Sequence, residues 1–389
     1  LNLNFRYEII LVKNKNGCMK KCRVLRGEEK TESTLTLDTS KIPSTYKVTS
    51  KQWYSSDTQS VEGGTAIENA AGDTYKVGLS MTKKYIYVVV KATAPNGTEV
   101  ELKAVTQNAI VGLTVGDYVN YVPTSKTVTT NTSKTGYTST QTLSTQANTE
   151  WRVLSIDETT GEVLLTTLGP SSVYLRGAIG YLYGAEELNR ICKELYSSGS
   201  LTARSVTVED INKACDYNPV NYKEYGATYV YYPKDTTTVP NVTAGGKTYV
   251  GRALYSASAK FYAWDDGNGI THFATGENGY VTSTASSPIK STNTYYTLSI
   301  PNSVVSNILG TTTTWLASKY EEASYGGVDY GMRLTNRSGV YQYDLVSSNG
   351  SLAAYSYNIR PIVSLKSTQV NLDDSSRNGQ SASTAWNLK

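Results

Sequence analysis

Histidine, phenylalanine and methionine are nearly missing from this chain of 389 residues, which holds one His, three Phe and three Met. The single imidazole, His272, leaves no set of nitrogen ligands for a metal. Four cysteines add little. Cys18 and Cys22 form a C-x3-C pair, and Cys192 and Cys215 stand apart. Cys192 and Cys215 read either as two thiols in a helical region or as one disulfide. Charge is scarce at 18 %, and the net value of +4 is dispersed along the chain, so nucleic acid is not an expected partner. No apolar run approaches membrane-spanning length, so no direct membrane insertion is expected in these residues.

Catalytic signatures are absent too. Neither the Ser of Thr202-Ala203-Arg204-Ser205 nor His272 sits in a nucleophile elbow. No phosphate-binding loop or dinucleotide fingerprint occurs. Glu321 and Glu322 are sequence neighbours that face solvent more readily than they share a proton. Asp265, Asp266 and Asn268 could ligate calcium, but Asp-Asp-Gly-Asn-Gly also makes a tight turn, and the turn is favoured. The reading is therefore no enzyme, no cofactor and no metal.

Tyrosine is what the chain has in abundance, 32 residues, alongside Thr, Ser, Gly and Val. That balance favours strands and polar loops. Residues 315–365 concentrate it: Tyr320, Tyr325, Tyr330, Tyr341, Tyr343, Tyr355 and Tyr357 stand among Ser, Gly, Asn and Asp. Antibody loops use this mixture, in which Tyr supplies amphipathic contact area and the small polar residues supply adaptable hydrogen bonds. Tyr341 with Tyr343, and Tyr355 with Tyr357, have period two, which places each pair on one face of a strand.

Residues 5–12 read as one strand before a turn at 14–17, and segment 1–40 has no clear assignment. Residues 41–107 read as a small β-sandwich, with Trp53 in one strand and an alternating run at 85–90. A further domain spans 108–366. It opens with a strand at 116–123, followed at 124–148 by a surface loop or a pair of edge strands. A hairpin follows at 151–156 and 162–166. Leu188, Ile191, Cys192 and Leu195 make one helical stripe, giving a helix over about 185–196. Thr207 with Asp210 reads as a capping box for a short helix through Ala214. A helix over 301–309 opens on Pro301 and is stopped by Gly310. Strand-like pieces cover 328–335, 339–345 and 357–365. The polar tail 367–389 could dock Trp386 and Leu388 as a last strand.

These residues carry a double resemblance. The order W-Y-x-S-D, G-x-A-I-E-x-A-x-G-D-T-Y and K-Y-I-Y-V-x-V-x-A-T, within 41–107, resembles bacterial immunoglobulin-like repeats, in which a central Trp packs between sheets. From about Asp117 onward, G-D-Y-V-x-Y-x-P, W-R-V-L-S-I, V-Y-L-x-G-A-x-G-Y, L-N-x-I-C-K-x-L-Y, T-A-R-S-x-x-x-E-D-I, W-L-A-S-[KR]-Y, S-N-G, R-P-[IV]-V-S-L-K-S and A-W-N-L follow in order. That series resembles the variable proteins of diversity-generating retroelements, in the form found in gut Firmicutes and their phages. The resemblance implies a β-rich multidomain protein, an immunoglobulin-like β-sandwich followed by an α+β C-type-lectin-like domain. It implies a scaffold of Trp315 to Ser318, Tyr330, Arg333, Gly339, Leu345, Asn349, Gly350 and Arg360 to Ser367. It implies diversifiable ligand-binding positions among Ser324, Tyr325, Asp329, Gly331, Leu334, Asn336, Tyr341, Tyr343, Val346, Ser347, Ser351, Ala353, Tyr355 and Tyr357.

The expected function is surface-displayed ligand binding. The segment at about 320–357 contacts a protein or glycan on another cell or surface. Location is extracellular, on a cell or on a virion, and the opening Leu1 reads as a processed or truncated start. Alanine at Tyr341, Tyr343, Tyr355 and Tyr357 together is expected to abolish binding with little change in melting temperature. The alternative is a structural or adhesive surface protein with fixed assembly contacts. A distant third is a relative of the formylglycine-generating enzymes, which needs a reactive cysteine pair in the site.

Overall fold

The computed structural model describes residues 24–146, 149–216, 300, 302–324, 327–347 and 352–389, with strands Ile9–Ile10, Tyr229–Tyr232, Val242–Ala244, Lys247–Ala253, Phe261–Asp265 and Thr271–Thr275. Strand outweighs helix, 42 % to 18 %, so the chain is β-rich and built of several sheets. Cys18, Cys22, most of the 5–12 strand, Pro301 and the 266–270 turn lie outside the described residues. Strands Phe261–Asp265 and Thr271–Thr275 pair antiparallel around that turn.

The first core belongs to residues 24–110. Lys47–Ser56, Tyr85–Thr93 and Glu99–Val105 pair antiparallel in one sheet, with Thr65–Ala66 and Ile9–Ile10 at its edges. Leu25–Arg26, Thr34–Leu37 and Thr74–Lys76 form another. Trp53, fully buried, donates its indole N–H to Gly72 C=O at 2.9 Å. Residues 24–40, unassigned from sequence, supply part of this core. Thr34-Leu35-Thr36-Leu37 alternates with period two, and Leu35 and Leu37 are the buried pair.

A larger sheet runs in the order Ala203–Ser205, Pro361–Lys366, Glu162–Thr166, Trp151–Ile156, Tyr118–Asn120, Trp386–Leu388 and Val370–Asn371. The tail does dock: Trp386–Leu388 lies parallel to Tyr118–Asn120, and Trp386 donates its indole N–H to Asp117 at 3.1 Å. Strands Thr127–Thr129 and Thr142–Ser144 pair at 124–148, which decides for edge strands over a loop. Cys192 and Cys215 are free thiols, Cys192 fully buried.

A five-stranded sheet has the order Gly169–Arg176, Ala354–Ile359, Thr314–Ser324, Gly327–Asn336 and Gly339–Val346. The long helix Gly177–Tyr196 packs between it and the larger sheet, sharing a core of Trp151, Leu165, Leu175, Leu188, Ile191 and Trp315. This helix begins well before the expected residue 185. Gly184 packs closely in the added turns: a Cβ there would stand 2.9 Å from Leu175. On the opposite face, helices Val208–Ala214 and Ser303–Leu309 bury Val208, Ile211, Val305 and Ile308 against Leu316, Val340 and Ile362. The capping box forms as read: Asp210 accepts from Thr207 N–H at 2.8 Å. Asn302, not Pro301, caps the later helix, accepting from Val304 N–H at 2.9 Å.

Candidate functional site

Strands Gly327–Asn336 and Gly339–Val346 make a hairpin closed by Asn336 and Gly339. Their register sets which side chains share a face. Trp315, Leu334 and Tyr341 stand in one row across the sheet, and Lys319, Met332 and Tyr343 in another. Both rows face the long helix, because Lys319 donates its ammonium N–H to Leu182 C=O at 2.6 Å. Tyr355 and Tyr357 come to the same side from Ala354–Ile359, opposite the buried Leu175 and Val173.

Four aromatic rings meet there. Tyr343 lies 4.8 Å from Tyr355 and 5.5 Å from Tyr357, both edge to face, and Tyr357 lies 5.0 Å edge to face on Trp315. Such pairs are attractive beyond the area they bury. Trp315 is fully buried and Tyr355 and Tyr357 are half-buried, while Tyr343 is 41 % exposed. The cluster is thus rooted in the core and surfaces at Tyr343. Burial, then the hydrogen bond with Tyr343, pushes the Tyr357 phenol up from its ordinary pKa.

The frame beneath is rigid. Trp315 donates its indole N–H to Val173 C=O at 2.8 Å. Arg333, fully buried, donates to Gln342 at 3.0 Å and stands 5.2 Å over the Tyr320 ring. Arg360, also fully buried, donates to Leu309 C=O at 2.5 Å and Ile308 C=O at 3.4 Å. It thereby closes the C-terminus of Ser303–Leu309, where a cation offsets the unpaired carbonyls.

The expected contact positions divide. Tyr341, Tyr343, Ser347, Ala353, Tyr355 and Tyr357 are half-buried or exposed, and Tyr343, Tyr355 and Tyr357 touch one another. Asn336 sits at the far end of the hairpin, at the turn beside Ser303–Leu309. Ser324 and Asp329 occupy strands opposite Gly327 and Glu322, with their side chains outside the described residues, and Tyr325 and Ser351 lie wholly outside them. Three positions are corrected. Leu334 and Val346 are buried in the core, so neither side chain can meet a partner while the fold holds. Gly331 is buried as well, and a Cβ there would stand 2.0 Å from Tyr343 C=O and 2.3 Å from the Tyr320 ring. Gly331→Ala is expected to cost about 2 kcal/mol in urea unfolding by forcing the hairpin apart. A value near zero would show that the strands part freely.

The quadruple alanine expectation changes as well. Tyr341, Tyr355 and Tyr357 pack against the core, so removing all four tyrosines costs stability along with any contact.

Two residues join the site that sequence reasoning passed over. Leu352 is 50 % exposed beside the start of the long helix, and Asp344 is half-buried on the reverse face of the hairpin. The alternation Tyr341-Gln342-Tyr343-Asp344 held the signal for Asp344. A cleft of about 580 Å³ lies elsewhere, walled by Tyr118, Tyr121, Val122, Glu150 and Trp151, and no described residue of 315–365 lines it.

Comparison with protein families, with curated proteins and with solved structures finds no match to this chain. Among the described residues no helix is long and apolar enough to cross a membrane.

Proposed function

We propose that this chain is a surface-displayed binding protein whose C-terminal tyrosine face contacts a protein or glycan partner, in the manner of a retroelement variable protein. In this reading the first sandwich is an immunoglobulin-like spacer and the larger unit a C-type-lectin-like domain, displayed on a cell or virion. One observation carries it: Tyr343, Tyr355 and Tyr357 converge from non-neighbouring strands on a buried Trp315 floor, with Tyr343 outermost. Exposed or half-buried Ser347, Leu352 and Ala353 adjoin it, while Arg333, Leu345 and Arg360 are buried. Rigid aromatics over a fixed frame bind at low entropic cost.

The gene from independent isolates tests the diversity. Differences should gather at Tyr341, Tyr343, Ser347, Ala353, Tyr355 and Tyr357 and spare Trp315, Gly331, Arg333 and Arg360. Differences spread evenly, or none at all in this stretch, sink diversification and leave fixed adhesive contacts. For binding, Tyr343→Ala is expected to weaken capture of whatever cell or glycan the wild-type chain retains by about tenfold or more, while stability falls by about 1–3 kcal/mol from its two lost ring contacts. Unchanged capture on a bacterial-cell panel and a glycan array would remove Tyr343 from the site.

A further inference from the structure

Gly339–Val346 is the outermost described strand of its sheet, and among the described residues its free edge is closed at one end. There the chain closes it itself: Ala353 N–H donates to Leu345 C=O at 3.0 Å, and Leu352 bridges antiparallel to Val346. Further along, the register decides which groups look outward. Tyr343 C=O points at Gly331, and Asn336 with Gly339 closes the hairpin. Alternation then turns the N–H and C=O of Val340 and Asp344 to the open side. No described residue bonds them.

The other edge of the same sheet is stoppered. Gln141 lays its amide along Gly169–Arg176, donating to Ser172 C=O at 3.1 Å and accepting from Tyr174 N–H at 2.8 Å. The open edge holds no Pro and no Lys, and its bulge lies at the end that the chain already closes.

Asp344 adds charge to this geometry. It is half-buried beside the open edge, and no cation among the described residues pairs with it. Burial raises its carboxyl above the ordinary range. A cation brought beside it would favour its charged form. On the other face of the strand, Tyr341 and Tyr343 stand side by side, ready for apolar neighbours.

We propose that this edge receives an extended segment of a protein partner by strand addition, with apolar or aromatic side chains against Tyr341 and Tyr343 and a lysine or arginine against Asp344. The inference rests on the tyrosine face being the binding face, and it narrows the partner to extended polypeptide. Main-chain bonds supply affinity and the alternating side chains supply choice.

A random library of linear peptides selected on the full chain tests it, with a glycan array probed in parallel. Selected peptides should alternate apolar with basic residues and lose binding when alternate backbone amides are methylated. Asp344→Lys, or glutamate in place of the peptide's basic residue, should weaken binding about tenfold or more, and the two changes together should restore it. If Asp344→Lys fails to fold by circular dichroism, Asp344→Asn must still erase the preference for basic peptides. Peptides that bind equally well when methylated, or without a basic residue, overturn the proposal. Tyr343-dependent glycan binding with no peptide selected overturns it while the tyrosine-face reading stands. Binding of neither class sinks both. A concentration-dependent dimer broken by Asp344→Lys puts a second copy on the edge and overturns the peptide partner.

Discussion

Trp315→Ala is expected to lower the unfolding free energy by about 4 kcal/mol, the cost of emptying a large aromatic from a packed core. The residue is fully buried, and its indole N–H is the donor to Val173 C=O, at 2.8 Å across the sheet. Alanine leaves a cavity and an unpaired carbonyl, and burial without a partner is the more expensive half of a broken hydrogen bond. The loss also reaches the surface. Tyr357 rests edge-on against Trp315 at 5.0 Å, and Tyr343 rests on Tyr357 at 5.5 Å. Removing the floor should therefore loosen the exposed ring as well. Trp315→Phe keeps an aromatic body without the N–H and should cost about half as much. Urea unfolding measures both, and a loss below about 1 kcal/mol for alanine would show that Trp315 does not anchor the sheet.

Lys319 yields the second large effect, and it depends on pH. Its ammonium is buried under the long helix, bonded to Leu182 C=O at 2.6 Å and 5.4 Å from the Tyr181 ring centroid. Burial pushes its pKa down from 10.5 to about 8, with Glu186 pulling the other way. Between those values the unfolded chain holds a proton that the folded chain has released. Stability from this group therefore rises with pH across that window, and below pH 8 the folded state carries the full cost of the buried charge. The span is roughly 3 kcal/mol at about 1.4 kcal/mol per pH unit. Lys319→Met removes the titration. The variant should be the more stable protein at pH 7, and its advantage should shrink by roughly 3 kcal/mol by pH 10.5. Tyrosines that titrate in the same range cancel in the comparison. Parallel stability curves for the two proteins would show that Lys319 is not held in its charged form at a cost.

Much of the frame was legible from short-range signals. Two apolar runs around a turn marked the hairpin strands at 151–156 and 162–166, and period two marked the strand at 339–345; the structure has Trp151–Ile156, Glu162–Thr166 and Gly339–Val346. The capping box named the start of Val208–Ala214. These signals are local: they depend on residues within a turn or two of one another. The stripe of Leu188, Ile191, Cys192 and Leu195 marked only the later part of Gly177–Tyr196, and its early turns pack closely, with Gly184 against Leu175.

The site was legible in content and not in geometry. Leu345 and Val346 are consecutive, so simple alternation would put them on opposite faces. A bulge shifts the register between Tyr330 and Gly331 on one strand and Val346 and Asp344 on the other, and both side chains end in the core. Leu334 and Gly331 entered the expected contact set through the resemblance alone. The register partners of Leu334 are Trp315 and Tyr341, and Gly331 is a contact too close for any side chain.

By itself the sequence determined the composition of the tyrosine-rich stretch, the β-rich class, and the bracketing of that stretch by Trp315 and Arg360. Those follow from residue chemistry and from periods a few residues long. Only the tertiary structure decided which tyrosine surfaces, which positions are buried, and that Tyr343 meets Tyr355 across strands that are not neighbours. Sheet order, a single-residue bulge and the packing of a helix onto one face are long-range facts. They depend on what lies opposite each strand, and no local pattern in the chain encodes that.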